Sequence, residues 1–241
     1  MIIKNTAVII TGASAGIGEA TARCFAAAGA KVVLAARNTD RLKILAEELQ
    51  QKGYEALSIP TDMRDFKAVH EMVEQTFQNY RRIDILINNA GQSLAGTIAD
   101  VSLDDFQSIM ALNVYGVVAA MQAVIPKMRS GGGGVIINVS SMVSKMQLPG
   151  LGTYAATKAA LNSLSGTARV ELSGEKIRII TMFPRMTATD FGKNALGDQR
   201  LRQTQRSHGT REGVVVDQPE DVAQRILFAA QNEPEEQYMD K

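Results

Sequence analysis

Disulfide chemistry is closed to this chain, because its 241 residues include one cysteine, Cys24, inside an alanine-rich helical pattern where a thiol acts as a small buried hydrophobe. Only His70 and His208 offer imidazole, and neither has a partner at ligand spacing, so no metal site is expected. Charge of one sign is missing too. The net charge is +1 and the charges are scattered, which excludes an electrostatic footprint for nucleic acid or an anionic membrane. The one basic concentration, from Lys193 to Arg211, reads as a solvated loop. No apolar run approaches the roughly 18 residues of a membrane span, and the N-terminus meets a glycine turn before reaching signal-peptide length. A soluble, cytoplasmic protein is expected, with no nucleic-acid or membrane partner.

A 45% hydrophobic content at this length suits one large α/β domain covering residues 1–241. Short β-branched runs at Ala7–Ile10, Lys31–Ala35, Glu55–Pro60, Ile83–Ile87, Val135–Val139 and Arg178–Met182 alternate with longer amphipathic patterns. That rhythm predicts right-handed βαβ crossovers and a doubly wound parallel sheet of Rossmann type, buried on both faces. Gly29, Gly53 and the Ser130–Gly134 run fall where helices end, and a further helix is expected over Pro219–Gln231.

In such a sheet the ligand lies at the carboxyl ends of the strands, where strand order reverses. Thr11–Gly18 (TGASAGIG) joins the first strand to a helix, as a phosphate loop does, and assigns Gly12, Ser14, Ala15, Gly16, Ile17 and Gly18 to a pyrophosphate. After the second strand the chain reads Ala35, Ala36, Arg37, without the carboxylate that holds a ribose 2′-hydroxyl. A guanidinium there suits a 2′-phosphate, so NADP(H) is expected over NAD. Asp62 and Met63 follow the third strand and are placed to meet the adenine. Asn88–Gly91 (NNAG) follows the fourth and brings Asn89, Ala90 and Gly91 against the cofactor.

Tyr154 and Lys158 stand four residues apart in a helical pattern and so share a face. A neighbouring ammonium stabilises a phenolate and is expected to lower the tyrosine pKa towards the working range. Ser141, at the end of a strand thirteen residues earlier, offers a hydroxyl to hold a substrate oxygen beside the phenol.

In these motifs the chain resembles the short-chain dehydrogenase/reductase family, of the compact single-domain type, over nearly its whole length. TGASAGIG is similar to the family's TGxxxGxG, NNAG to its strand-four motif, and Ser141, Tyr154 and Lys158 to its catalytic set. The resemblance adds Asn113 as a fourth catalytic residue, holding a helix bend and a water that links Lys158 to solvent. It also matches Pro184 and Thr189, with Thr187 between them, to the stretch that closes over the nicotinamide. It implies hydride transfer between nicotinamide and a carbonyl or alcohol carbon. Tyr154 would serve as general acid or base, Ser141 as hydrogen-bond donor, and Lys158 as partner of both the phenol and the nicotinamide ribose. A homodimer through the helices carrying Asn113 and Tyr154, or a homotetramer, is implied as well.

Two departures from the family pattern stand out. Arg185 replaces the glycine that usually follows the proline, and it either points to solvent or reaches the site and favours substrates bearing a carboxylate or phosphate. The stretch Glu233–Lys241 shows no strand-like alternation, so the family's last edge strand is expected to be absent or supplied differently. The long polar segment at about 188–213 suits a substrate lid. Met142, Met146, Leu148 and Met186 either line an adaptable apolar pocket or belong to the core. The leading functional expectation is an NADP(H)-dependent carbonyl reductase. The alternatives are an NADP-dependent dehydrogenase of a small hydroxy acid and a non-catalytic NADPH-sensing regulator.

Overall fold

The computed structural model describes residues 1–198, 201 and 215–239. Seven parallel strands form the central sheet: β1 (Ala7–Thr11), β2 (Lys31–Ala36), β3 (Ala56–Pro60), β4 (Ile85–Asn88), β6 (Gly134–Val139), β7 (Ile177–Phe183) and β9 (Glu236–Tyr238). Their spatial order is β3-β2-β1-β4-β6-β7-β9, so the winding reverses between β1 and β4. Two shorter strands, β5 (Leu94–Ala95) and β8 (Leu196–Gly197), pair in parallel away from this sheet.

Side-chain alternation divides the core. Val8, Ile10, Val32, Leu34, Ile85, Ile87 and Ile137 face α1 (Gly16–Ala27), α2 (Thr39–Gln51) and α7 (Pro219–Asn232), where Phe25, Leu42, Leu49 and Ile226 cover them. Ile9, Val33, Leu86, Ile136 and Ile179 face α3 (Phe66–Tyr80), α5 (Gly116–Ser130) and α6 (Gly152–Glu171). Because both faces are covered, β1, β4 and β6 are buried at every position, which is why their sequences are nearly continuous Val, Ile, Leu and Ala.

The helices start where side chains supply caps. Asn38 accepts from the Arg41 N–H ahead of α2, Asp65 from Lys67 and Ala68 ahead of α3, and Ser102 from Asp105 ahead of α4 (Leu103–Met110). α4 runs through a π-helical turn, Ala111–Tyr115, into α5. This run, Leu103–Ser130, is long and apolar enough to cross a membrane, but 61% of its most apolar window is buried inside the protein, as in a core helix.

The edge strand expected to be absent is present. β9 pairs with β7 over Thr181↔Glu236, Met182↔Gln237 and Phe183↔Tyr238. Its pattern is invisible because the inward residue is the polar Gln237, only 5% exposed. Tyr238 holds the strand by stacking on Phe183 with ring centres 4.8 Å apart. The basic stretch Lys193–Arg211 and the lid expected at 188–213 lie largely outside the described residues; within them are 188–198 and Leu201.

Gly116 opens α5 against the loop after β3, and a β-carbon on it would sit 2.3 Å from the Met63 carbonyl oxygen. Helix propensity alone favours alanine over glycine by about 1 kcal/mol. The clash outweighs this, so Gly116→Ala is expected to destabilise the fold by about 1–3 kcal/mol, seen as a lower urea midpoint at unchanged slope.

Candidate active site

The loops after β1 and β4 meet with no space between them. A β-carbon on Gly18 would lie 2.2 Å from the Gly12 carbonyl oxygen and 2.6 Å from Asn89 Nδ2, and one on Gly12 would lie 2.9 Å from Ala90 Cα. Gly12 also has φ +69°, in the left-handed region that glycine permits. Thr11 fastens the two loops: its Oγ1 accepts from the Asn89 and Ala90 N–H groups, while Asn89 Nδ2 donates to the Thr11 carbonyl at 2.9 Å. Asn89 is therefore a strut between strand ends as much as a lining residue. At the start of α1, Ala15 provides no side-chain cap. The first-turn N–H groups of a helix need acceptors, and a glycine cradle with an uncapped helix N-terminus fits a pyrophosphate. Ser14, Gly16 and Ile17 complete this turn, and Thr189 approaches it, its Cγ2 lying 3.0 Å from where a Gly16 β-carbon would be.

Arg37 is exposed just past β2, and no acidic side chain stands between it and the strand. Asp62 follows β3 and accepts from the Arg64 N–H at 3.0 Å, while Met63 is buried against α5.

Ser141, Tyr154, Lys158 and Asn113 come together around the ends of β4 and β6. Ser141 leads directly into a 3₁₀ turn, Met142–Lys145, and its hydroxyl is hydrogen-bonded to Tyr154. The turn is pinned at both ends. The Met142 N–H donates to the Pro184 carbonyl, and Lys145 Nζ donates to Tyr238 Oη at 2.6 Å while lying over the Phe183 ring. Tyr154 and Lys158 are buried at 7% and 4% exposure. Lys158 Nζ donates to the Val139 carbonyl at 2.8 Å, and a β-carbon on Gly91 would be 3.6 Å from it and 3.3 Å from Asn113 Oδ1.

The expected lowering of the tyrosine pKa by the lysine does not appear. Burial pushes Tyr154 up to about 12, opposed by the Ser141 hydrogen bond, and burial brings Lys158 down to about 8. Desolvation disfavours the charged form of each. The result at neutral pH is a protonated phenol beside an ammonium that gives up its proton about one unit above pH 7.

Asn113 sits in the π-helical turn and is fully buried. Its Nδ2 donates to the Gln92 carbonyl and to Thr157 Oγ1, and its Oδ1 accepts from the Gln92 N–H at 3.0 Å. A π-helical turn stands where a helix bend is expected, and the Asn113 side chain fixes the loop after NNAG.

Arg185 turns its charge to a carboxylate of the protein itself. Its guanidinium grips Asp217 in a two-pronged ion pair, Nη2–Oδ1 2.7 Å and Nε–Oδ2 3.1 Å, and Asp217 is 7% exposed. The pair ties the start of the 184–192 stretch to the entry of α7, reinforced by a bridge between Thr187 and Asp217. Met146, Leu148 and Met186 are between 37% and 47% exposed and Met142 is half-buried, so these residues are not core.

One residue absent from the sequence reading lies directly on the phenol. Phe191 packs against Tyr154 with ring centres 5.8 Å apart at 55°. Its signal in the sequence was a lone aromatic in an otherwise polar segment.

Three comparisons bear on this arrangement. The family model described as short chain dehydrogenase matches residues 6–200. Sulfoacetaldehyde reductase 2 of Chromohalobacter salexigens is 35% identical over 231 residues, covering 92% of this chain and 87% of that protein. Among solved structures, 7α-hydroxysteroid dehydrogenase complexed with NADH and 7-oxo glycochenodeoxycholic acid is 31% identical with a TM-score of 0.84, covering 95% of this chain and 88% of that one. The closed form of serine dehydrogenase complexed with NADP+ is 29% identical with a TM-score of 0.86, covering 97% and 94%.

The buried lysine predicts a pH-dependent stability. The unfolded chain holds the Lys158 proton to about 10.5 and the fold only to about 8, so the penalty is fully present below pH 8 and is relieved as pH rises from 8 towards 10.5. Tyr154 acts in the opposite sense, losing stability above pH 10 as the unfolded phenol ionises first. The urea stability of the wild type relative to Lys158→Met is therefore expected to rise between pH 7 and 9.5, by up to about 2 kcal/mol.

Proposed function

The chain belongs to the short-chain dehydrogenase/reductase family, nicotinamide-dependent oxidoreductases of CH–OH and C=O groups, and from that premise we propose that it is an NADP(H)-dependent carbonyl reductase. The observation that supports this reading is the buried set itself, Tyr154 with Ser141 and Lys158 gathered at the ends of β4 and β6. A protonated phenol so placed can give its proton to a carbonyl oxygen as charge develops there.

When bound, the nicotinamide supplies the hydride for the carbonyl carbon. Ser141 donates a hydrogen bond to the carbonyl oxygen and aligns it with Tyr154. Tyr154 transfers its Oη proton to that oxygen as negative charge builds on it. The Lys158 ammonium, protonated below about pH 8, stabilises the phenolate left behind. Asn113 holds the Gln92 backbone and hence the wall of the site. Gly12, Gly16 and Gly18 let the turn close tightly, so that the first N–H groups of α1 would hold the pyrophosphate, while Asp62 and Met63 would meet the adenine and Arg37 would pair with the 2′-phosphate. Asn89, Ala90, Gly91, Pro184, Thr187 and Thr189 line the remaining cofactor path, and Met142, Met146 and Met186 border the substrate.

The hydroxy-acid reading loses its proposed carboxylate partner, because the Arg185 charge is matched by Asp217. Small polar aldehydes, as the name of the sulfoacetaldehyde reductase suggests, enter the substrate panel instead. The assembled Ser, Tyr, Lys and Asn set argues for turnover and against a sensor. A single thiol without a disulfide partner fits the cytoplasm. We also propose a homodimer through α6 and the helix formed by the π-helical turn and α5, where exposed Tyr115 and Leu164 border an apolar groove of about 520 Å³ with Phe66 and Val118.

Fluorescence titration is expected to show tighter binding of NADPH than NADH, by tenfold or more, with the difference lost in Arg37→Ala. Tyr154→Phe is expected to reduce aldehyde turnover by about 10²–10⁴-fold. Equal affinities in the wild type would overturn the NADP assignment, and unchanged turnover would overturn the role of the tyrosine. For the assembly, Leu164→Glu is expected to shift the protein from dimer to monomer in light scattering.

A further inference from the structure

Gln92 follows Gly91 in the loop between β4 and β5, and its backbone is fully engaged by Asn113 through the paired bonds already described. Its side chain takes no part in that pairing. Instead Oε1 accepts from Arg64 Nη2 at 2.8 Å, and Nε2 donates to the Asn194 carbonyl at 2.8 Å. Arg64 is held in turn by the Ser108 carbonyl at 3.4 Å and by Asp62 at 3.7 Å. One amide thus spans the loop after β3, the NNAG loop after β4 and the segment that follows Phe191.

The chemistry of the two partners fixes the amide's orientation. A guanidinium only donates and a carbonyl only accepts, so only one face of the amide satisfies both. Beyond Asn194 the chain zips onto β5: the Leu196 N–H donates to the Ser93 carbonyl at 2.9 Å and the Asp198 N–H to the Ala95 carbonyl at 2.8 Å. Before Asn194, Phe191 lies on the Tyr154 ring. The Gln92 contact, at Asn194, falls between these two anchor points.

We propose that Gln92 is a latch, a positioning residue whose side-chain amide seats residues 191–198 over the active site. Its effect on substrate rests on the reading of this segment as a substrate lid, while its effect on seating does not. The latch acts by holding the lid's backbone, so it governs how often the site is closed rather than the proton transfer itself.

The test compares Gln92→Met, which keeps the length and removes both polar contacts, with Gln92→Glu, which keeps an acceptor for Arg64 and removes the donor to Asn194. Amide exchange is followed by NMR in the cofactor-free protein. At Leu196 and Asp198 both variants are expected to exchange about three- to tenfold faster than wild type, with the β1 and β4 amides unchanged. With NADPH and the panel aldehyde of highest turnover, KM is expected to rise by a similar factor, with kcat within about twofold and NADPH affinity unaltered. Unchanged exchange at Leu196 and Asp198 in both variants overturns the latch, as does wild-type exchange in Gln92→Glu alone, because the Asn194 bond would then be idle. Faster exchange with an unchanged KM sustains the latch and overturns the lid reading instead.

Discussion

Everything at the carboxyl edge of this sheet depends on one close approach, that of the turn after β1 to the turn after β4. Strand order reverses there, so the helices following the two strands leave on opposite faces and a crevice opens between them. A crevice of this kind is useful only if its floor is fixed. Thr11 and Asn89 fix it by satisfying each other's backbone groups, and the two glycines allow it because neither position has room for a β-carbon. The phosphate loop, the NNAG turn and the start of α1 are therefore parts of one packed unit rather than three motifs in a row.

The same packing makes the chemical half dry. Tyr154 and Lys158 project from α6 onto the ends of β4 and β6 and are removed from water together. Burial acts on each in the direction of neutrality, upward for the phenol and downward for the ammonium. A site with this bias resists forming an isolated charge, yet its low dielectric strengthens any attraction once two opposite charges coexist. Proton loss from the tyrosine is thus costly in the resting protein. The Ser141 hydrogen bond is the one contribution in the resting site that already favours the phenolate.

Much of this was legible in the sequence because it is local. The strands were visible as runs of Val, Ile and Leu buried on both faces, and the glycine turn, NNAG and the Tyr154–Lys158 spacing each occupy a few consecutive residues. What escaped is long-range or polar. β9 hid because its inward residue is Gln237, and because its stability comes from Tyr238 on Phe183 and Lys145, contacts 55 and 93 residues distant. Arg185 read as a free cation because its partner Asp217 lies 32 positions away. The tyrosine pKa was misjudged for a different reason: spacing places an ammonium near a phenol but does not reveal that both are desolvated.

The tethering of the segment after β7 limits where substrate discrimination can reside. At one end Pro184 accepts from Met142 and Arg185 is clamped to Asp217, which joins the segment to the Ser141 turn and to α7. At the other end the β5–β8 ladder and Gln92 join it to the NNAG loop. Between these anchors only a short stretch faces the phenol, and its one aromatic residue, Phe191, is in contact with Tyr154. That ring narrows the space beside the Tyr154 phenol. The Arg185 charge is matched by Asp217, so what this segment turns towards the phenol is an aromatic surface rather than a charge.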